Sequence, residues 1–187
     1  MKLTRMPVFP NWFPYNDMVL DGRMKVDRYE GVKTRNWKWD YRGPILFYNS
    51  LRTAKPAVEA YKYADNPSNH KVIIGAGKLV EVRLLTKNEA LQMVCNFNNL
   101  SVPEVKKIVS RGVPYGVRGG RITAWSLYNF YIYGNYVAPF EIGFFFKNLA
   151  RFNEPNPFNW PPGPIKPIFT KVTAGSKLEK QLKQAGF

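Results

Sequence analysis

The stretch that decides the fold is Arg35-Asn36-Trp37-Lys38-Trp39-Asp40-Tyr41-Arg42-Gly43-Pro44, which continues into the apolar run Ile45-Leu46-Phe47-Tyr48. Cations are interleaved with flat aromatic rings, and a proline then stands where a core strand begins. Guanidinium and ammonium groups neutralise phosphates, and aromatic faces stack on bases with about 1–3 kcal/mol per base. The pattern is therefore typical of a surface that binds nucleic acid.

The same rings also allow a purely structural interpretation. Trp37, Trp39 and Tyr41 lie two residues apart, which is the spacing of one face of a β-strand. A face of this kind can fill a hydrophobic core instead of meeting a ligand. The local pattern leaves both interpretations open.

The charge of the chain favours a partner rich in phosphate. The 187 residues include 28 Lys and Arg against 13 Asp and Glu, which gives a net charge of +15. Such an excess attracts nucleic acid. An anionic membrane surface is a weaker candidate, because the sequence contains no basic amphipathic helix of any length. We therefore expect nucleic acid, and no membrane, as the partner.

Length, cysteine content and the first residues limit the kind of protein. A chain of this size forms one good-sized core with an appended tail. Cys95 is the only cysteine, so no intrachain disulfide forms and a buried thiol is expected. Residues 1–7 lack the apolar segment of a signal peptide, and no apolar run is long enough to span a membrane. These features predict an intracellular, cytoplasmic protein.

Local signals predict several short helices and strands. Thr86 with Glu89 and Ser101 with Glu104 have the spacing of a capping box, which marks the starts of two helices. The run 79–84 alternates, with residues 80, 82 and 84 expected on one face of a strand. The predicted helices lie between Pro14 and Gly22, at 56–64, 87–94 and 102–110, and the predicted strands at 45–48, 72–85 and 122–133.

The C-terminal part has a different composition. Six prolines lie between residues 155 and 167, which excludes regular sheet and favours an extended strap. Residues 176–185 have two leucines at helical spacing, which predicts a short helix that needs packing or a partner. The predicted organisation is a domain at 1–150, followed at 151–187 by a proline-rich extension and a short C-terminal helix or tail.

Several ordered pieces of the sequence resemble the ASCH family, small β-barrel domains of the PUA-like group of RNA-associated folds. The specific piece is Arg35-x-Trp37-x-x-x-Tyr41-Arg42-Gly43-Pro44, which is similar to the family's R-x-W-x-x-x-Y-R-G-P segment. The weaker pieces extend the resemblance to about residues 10–142: Pro14-Tyr15 with Leu20-Asp21-Gly22, Val72-Ile73-Ile74-Gly75 with Val80-Glu81-Val82, and Ala124-Trp125-Ser126-Leu127 with Pro139. The resemblance implies an α+β fold, a PUA-like (ASCH) mixed β-barrel with flanking short helices, here with a proline-rich C-terminal extension.

The family's signature turn, Gly-x-Lys-x-x-Glu-x-Arg, is expanded and degenerate here, where it begins at Gly22. Gly22 and Arg35 are thirteen positions apart, which is more than the signature allows. Lys25 would then stand for the lysine, Asp27 or Glu30 for the acid and Arg35 for the arginine. A second near match at 77–83 lacks the first glycine and is interpreted as a coincidence on an alternating strand.

Some ASCH relatives look like small amidohydrolases of acetylated cytidine or like ribonucleases. The resemblance implies a lysine that polarises or attacks, a hydroxyl, and a carboxylate that acts as general acid or base. The candidate catalytic residues here are Lys25, Glu30 and Thr34. They could equally be solvated loop residues, since charged loop residues are normally wet.

Other catalytic systems find little support in the sequence. His70 is the only histidine, and no Cys or His lies near it at ligand spacing, so no metal and no cofactor is predicted. Gly75-Ala76-Gly77-Lys78 lacks both the first glycine and the Ser or Thr of a phosphate-binding loop. His70 is expected to be a surface turn residue.

The leading hypothesis is an RNA-binding protein whose barrel mouth holds single-stranded or flipped bases, with RNA favoured over DNA. One alternative is a small hydrolase of acylated or modified nucleosides, or a ribonuclease. Another is a non-enzymatic scaffold or assembly protein that docks a partner through its aromatic, proline-rich residues 144–169. The oligomeric state stays open. The candidate nucleic-acid-binding residues are Lys25, Lys33, Arg35, Trp37, Lys38, Trp39, Tyr41, Arg42, Lys106, Lys107, Arg111, Arg118 and Arg121.

Overall fold

The computed structural model describes residues 5–35, 37–110, 142–163 and 167–187. These residues form a mixed α+β fold, as predicted. The strands are β1 (Arg5–Phe13), β2 (Gly31–Arg35), β3 (Gly43–Thr53), β4 (Val72–Leu84), β5 (Ile142–Pro157) and β6 (Ile168–Lys171). The helices are α1 (Tyr15–Leu20), α2 (Lys55–Tyr61), α3 (Lys87–Asn98), α4 (Val102–Ser110) and α5 (Lys177–Gln184).

The six strands form one sheet in the order β2-β5-β4-β3-β1-β6. β1 and β3 are parallel, and the other neighbouring strands are antiparallel. The predicted closed barrel is wrong for the described residues, because no strand pairing among them joins β2 to the opposite end of the sheet. The sheet nevertheless curls, because rings of β1 and β5 meet although two strands separate them in the sheet. The centroid of the Phe9 ring lies 5.4 Å from that of Phe144 and 5.7 Å from that of Phe146.

β5 is the longest strand and carries the chain across the predicted domain boundary. It runs through residue 150 and includes Pro155 and Pro157, so the prediction that the proline-rich region excludes regular sheet is wrong at its beginning. In the described structure β2 pairs with residues 142–146 of β5, and the later part of β5 has β4 as its neighbour. In the described structure that part of β5 is therefore at an edge of the sheet, where a proline does not take away a backbone N–H that a neighbouring strand needs.

Two hydrophobic cores lie on opposite faces of the sheet. Successive residues such as Val8 and Phe9 fall in different cores, because neighbouring side chains of a strand point to opposite faces. Core 1 contains Phe9 and Phe47 and is packed by α1. It also contains all three of Phe144–Phe146, which do not follow this alternation. Core 2 contains Val8 and the buried Leu182 of α5. The predicted docking surface at 144–169 is wrong at its start, because those phenylalanines fill core 1.

The predicted helix signals are confirmed where the structure describes them. Thr86 accepts a hydrogen bond from the Glu89 amide at 3.3 Å, and Glu89 accepts one from the Thr86 amide at 2.8 Å, as a capping box requires. α1 ends before Gly22, whose φ of 72° lies in the left-handed region. The C-terminal helix is confirmed as α5, with Ser176 as its N-cap and Leu182 packed into core 2.

Several details differ from the prediction or lie beyond the described residues. The last part of the expanded turn expected between Gly22 and Arg35 is the strand β2, and β1 was not predicted. Leu79 is buried and Leu84 exposed, against the expected alternation, because the register with β5 shifts after Leu79. Cys95 is buried, as expected. The predicted strand at 122–133 and the family pieces at 124–139 lie outside the described residues.

In the part of the chain that the structure describes, no helix has both the length and the apolar character needed to cross a membrane.

Candidate functional site

β2 places two basic side chains on one face, next to α1 and β1. Lys33 is 6% exposed, and its Nζ lies 3.5 Å from the centre of the Tyr15 ring. Arg35 is half-buried, with its guanidinium carbon 4.7 Å from the centre of the Phe9 ring. Because residues two apart on a strand share a face, the sequence of β2 brings the two cations together and turns Thr34 to the other side.

The Arg35 side chain connects β2 to β1 where no backbone pairing does so in the described chain. Its Nη2 donates to the carbonyl oxygen of Pro10 at 2.9 Å and to Oδ1 of Asn11 at 3.1 Å. Its Nη1 donates to the carbonyl oxygen of Thr34 at 3.0 Å. Asn11 in turn donates to Oδ1 of Asn16 at 3.0 Å. All three acceptors of Arg35 are neutral, so these bonds orient its positive charge without neutralising it.

Burial changes the ionisation of this group of side chains. Desolvation, followed by the charge of Arg35, holds the pKa of Lys33 well below its usual range. Desolvation also lowers the pKa of Arg35 to about 10, against the opposing effect of Tyr15. Burial raises the pKa of Tyr15. A desolvated lysine beside a second cation is responsive to any anion that approaches, because an added negative charge favours its protonated form.

The aromatic segment Trp37 to Arg42 follows β2 and is not a strand. The interpretation as a strand face is therefore wrong, and Arg42 Nη1 donates to the carbonyl oxygens of Trp39 and Tyr41, both at 2.7 Å. Trp37 lies 5.0 Å from Phe144, and Trp39 stacks on Tyr41 at 5.0 Å and 28°, between ring centroids. All three rings are half-buried, so they pack on core 1 and still present part of their surface.

The polar groups of this segment have different surroundings. The Tyr41 hydroxyl donates to the carbonyl oxygen of Pro44 at 2.6 Å and therefore stabilises the start of β3. Arg42 is exposed but also donates to the carbonyl oxygen of Val82 at 3.3 Å. Lys38 is exposed. Lys38 is therefore the basic residue of the segment best placed to meet a partner without disturbing the fold.

The three candidate catalytic residues lie in separate surroundings. Lys25 is exposed beside Gly22, where an added Cβ would lie 2.8 Å from the lysine Cε. The Glu30 carboxylate accepts hydrogen bonds from the amides of Asn148 and Leu149, at 3.1 and 3.0 Å. Thr34 is buried on β2. The hydrogen bonds found among the described residues do not bring these three together.

The remaining candidate cations lie on or after α4. Lys107 is exposed on α4, and Lys106 lies on the same helix. The side chain of Lys106 and the residues Arg111, Arg118 and Arg121 lie outside the described part of the chain, so their contribution stays a prediction.

The sequence assigned the place of the signature lysine to Lys25 and named Lys33 only as a candidate nucleic-acid-binding residue. Residues 31–38 match the spacing Gly-x-Lys-x-x-Glu-x-Arg without an insertion, with Gly31 and Lys33 at the first two fixed positions. Asn36 then stands where the signature has its acid, and Lys38 where it has its arginine. In the structure a Cβ on Gly31 would lie 2.7 Å from a methyl group of Val19. A scan of the signature from every glycine would have found this match.

Comparisons with known proteins gave a structural similarity and no match between sequences. No protein-family model matches the sequence, and no curated protein matches it. Among solved structures, the chain is similar to the crystal structure of ASCH from Zymomonas mobilis, with 13% identity and a TM-score of 0.45, over 96% of this chain and 94% of that one.

Proposed function

We propose that this protein binds nucleic acid, RNA in preference to DNA, at a surface formed by β2 and the segment after it. We call it the β2 surface and define it as Lys33, Arg35, Trp37, Lys38 and Trp39. The observation that carries the proposal is the pair of cations on one face of β2, one buried and one half-buried, directly before a group of partly exposed aromatic rings.

Electrostatics favours an anion beside the two cations. Like charges close together in a poorly solvated place repel each other and are costly to desolvate. A phosphate group near Arg35 would lessen both effects and would add charge-assisted hydrogen bonds. The positive charge of the whole chain would strengthen the attraction at longer range.

The aromatic rings supply a second kind of contact. Trp37 and Trp39 lie edge to face, with ring centroids 6.4 Å apart, and both are held by Phe144. Rings fixed in this way lose little conformational entropy when a base stacks on them. Stacking contributes about 1–3 kcal/mol per base in single-strand binding proteins. Single-stranded RNA, with unpaired bases, is therefore the substrate class that fits the β2 surface best.

The hydrolase or ribonuclease alternative has weaker support. Lys25, Glu30 and Thr34 each have partners of their own or lie apart, as described above. The desolvated lysine of this region is Lys33, which is not one of these three residues.

Lys38→Ala tests the proposal without touching the core. We expect the affinity of the protein for single-stranded RNA to fall steeply between about 50 and 200 mM salt. The variant should bind more weakly, and the slope of log affinity against log salt concentration should be smaller by about one. Fluorescence anisotropy with matched RNA and DNA oligonucleotides measures both effects. Lys180→Ala, an exposed lysine on α5 beside core 2, is the matched control and should leave both unchanged. An RNA affinity that does not change with salt concentration, or an equal loss of RNA affinity in Lys38→Ala and Lys180→Ala, would contradict the proposal.

The lowered pKa of Lys33 predicts a pH dependence of binding. An anion binds the protonated amine, so RNA affinity should be highest at low pH and should fall as the pH rises and Lys33 loses its proton. Lys33→Met keeps the length of the side chain and should give a flatter profile with a lower maximum. Anisotropy titrations of both proteins across the neutral and alkaline range provide the measurement. Identical profiles would remove Lys33 from the site.

A further inference from the structure

β6 is a short strand at one end of the sheet, next to β1. Its residues alternate in exposure, with Ile168 partly buried against core 2, and Phe169 and Lys171 exposed. Because side chains two residues apart share a face, Phe169 and Lys171 lie together on the core 1 side of the sheet. Arg5 of β1 is exposed and is the antiparallel partner of Lys171, so its side chain lies on that face too. We call Arg5, Phe169 and Lys171 the β6 surface.

The Phe169 ring connects the β6 surface to the β2 surface. It is 49% exposed and lies at 83° to the Tyr41 ring, with centroids 5.9 Å apart. Tyr41 in turn stacks on Trp39, and Trp39 lies edge to face with Trp37. The four rings therefore follow one another from β2 to β6, with each centroid within 6.4 Å of the next. A single strand whose bases stack on the tryptophans thus meets further aromatic surface in the direction of β6.

Two cations lie on the same face as the Phe169 ring. Arg5 and Lys171 are both exposed, and neither forms a salt bridge with any residue in the described part of the chain. Like charges directly opposite each other on antiparallel strands repel and destabilise the pair. An anion between them would remove this repulsion and accept charge-assisted hydrogen bonds from both. The register of β1 with β6 therefore favours a phosphate here.

We propose that a single-stranded RNA bound at the β2 surface continues to the β6 surface, with a base stacked on Phe169 and a phosphate held between Arg5 and Lys171. This proposal rests on the function proposed above and adds a second contact region to it. The family resemblance covers none of the three residues of the β6 surface. Along β1, the distance from Arg5 to Phe9, whose ring contacts Arg35, is about 13 Å, so one strand can reach both surfaces.

Anisotropy titrations with single-stranded RNA of about 10 nucleotides test the proposal. One RNA should bind per protein. Lys171→Gln should reduce the slope of log affinity against log salt concentration by about one, whereas Lys180→Gln, which removes the same charge from α5, should not. Phe169→Leu keeps an apolar side chain without an aromatic face and should weaken RNA binding at least about fivefold. Phe169→Tyr keeps the ring and should bind RNA as tightly as the unaltered protein.

Failure of this proposal can be told apart from failure of the function proposed above. Unchanged RNA affinity and slope in Lys171→Gln and Phe169→Leu, together with a loss in Lys38→Ala, would overturn the β6 surface and leave the β2 surface standing. Two RNA molecules per protein, or a loss in the β6 variants with none in Lys38→Ala, would show that no strand spans the two surfaces and would also overturn the proposal. Absence of RNA binding by the unaltered protein overturns both.

The free variants separate RNA binding from other roles of the β6 surface. Because Lys171→Gln removes the repulsion with Arg5, the midpoint of urea unfolding should stay the same or rise while RNA affinity falls. A lower midpoint with undiminished RNA affinity would make Lys171 a structural residue and overturn the proposal. Size-exclusion chromatography tests the other occupant of a strand at the end of a sheet, a second copy of this chain. If Phe169→Leu separates a dimer without weakening RNA binding, the β6 surface is an interface between copies and the proposal is wrong.

Discussion

Replacing Phe144 with alanine is expected to lower the free energy of unfolding by about 3–5 kcal/mol. Phe144 is 0% exposed, and its ring lies 5.4 Å from Phe9 and 5.0 Å from Trp37, between centroids. Truncation removes a buried ring and leaves a cavity where β1, β5 and the aromatic segment meet. Since Trp37 and Trp39 both pack on this ring, their near-ultraviolet circular dichroism and RNA binding should weaken as well.

Urea unfolding followed by fluorescence measures the loss for Phe144→Ala. The matched control is Phe169→Ala, which truncates the same side chain where it is 49% exposed and lies at the edge of Tyr41, 5.9 Å between centroids. We expect that control to lose no more than about 1 kcal/mol, because little apolar surface is uncovered. Equal losses in the two variants would show that Phe144 does not hold the aromatic segment on core 1.

Local signals were enough to predict the elements that depend on few residues. The capping box of Thr86 and Glu89 closes within one helical turn, so its sequence spacing alone marks the start of α3. The same holds for α1, which ends where Gly22 takes a left-handed conformation. The strand at β3 was predicted only over 45–48, a short apolar run within its 11 residues, while β4 was predicted at 72–85, close to its observed bounds.

β1 and β2 were missed because their formation depends on distant parts of the chain. Pro7 and Pro10 make β1 look unlike a strand, yet Pro10 lies beyond the pairing of β1 with β6, which ends at Val8. β2 looks like a charged loop because Lys33 and Arg35 are polar. Their burial comes from β1, α1 and β5, and no local pattern in the sequence reports it.

The residues proposed for the site were named from the sequence and their role stays a prediction, while their arrangement could not be predicted. The sequence picked out Arg35, Trp37 and Trp39, and the structure adds that Phe144, far along the chain, supports both tryptophans. The sequence also left open whether the aromatic rings fill a core or face a ligand. Their half-buried state combines the two interpretations, since one side of each ring packs and part of it stays exposed.

Replacing Arg151 with methionine is expected to lower the free energy of unfolding by about 2–3 kcal/mol at neutral pH. Arg151 donates to Oδ1 of Asp17 at 2.9 Å and to Oδ1 of Asp21 at 2.8 Å, which ties β5 to α1. Asp17 is 8% exposed, so the variant leaves a carboxylate buried with Asn49 as its remaining side-chain donor, at 2.7 Å. The expected loss lies below that of a fully buried pair, because the Arg151 side chain is partly solvated.

The loss of unfolding free energy caused by Arg151→Met should be smaller in mild acid. Desolvation raises the pKa of Asp17, against the opposing effects of Asn49 and Arg151. The folded protein therefore binds this proton more tightly than the unfolded chain, and stability from protonated Asp17 is lost as the pH rises through its folded pKa. Without Arg151 that pKa rises further, so the difference between the two proteins is largest when Asp17 is ionised and smallest when it is protonated.

Urea unfolding of both proteins at about pH 5 and about pH 8 measures this difference. Carboxyl groups with lowered pKa values, such as Glu89, which Arg83 stabilises, are present in both proteins and cancel in the comparison. Lys177→Met is the matched control, because it breaks an exposed ion pair with Glu154 at 2.6 Å and should lower stability much less than Arg151→Met does. A deficit in Arg151→Met that is the same at both pH values would mean that Asp17 does not titrate in this range, and that Arg151 stabilises the fold through packing instead of through the buried carboxylate.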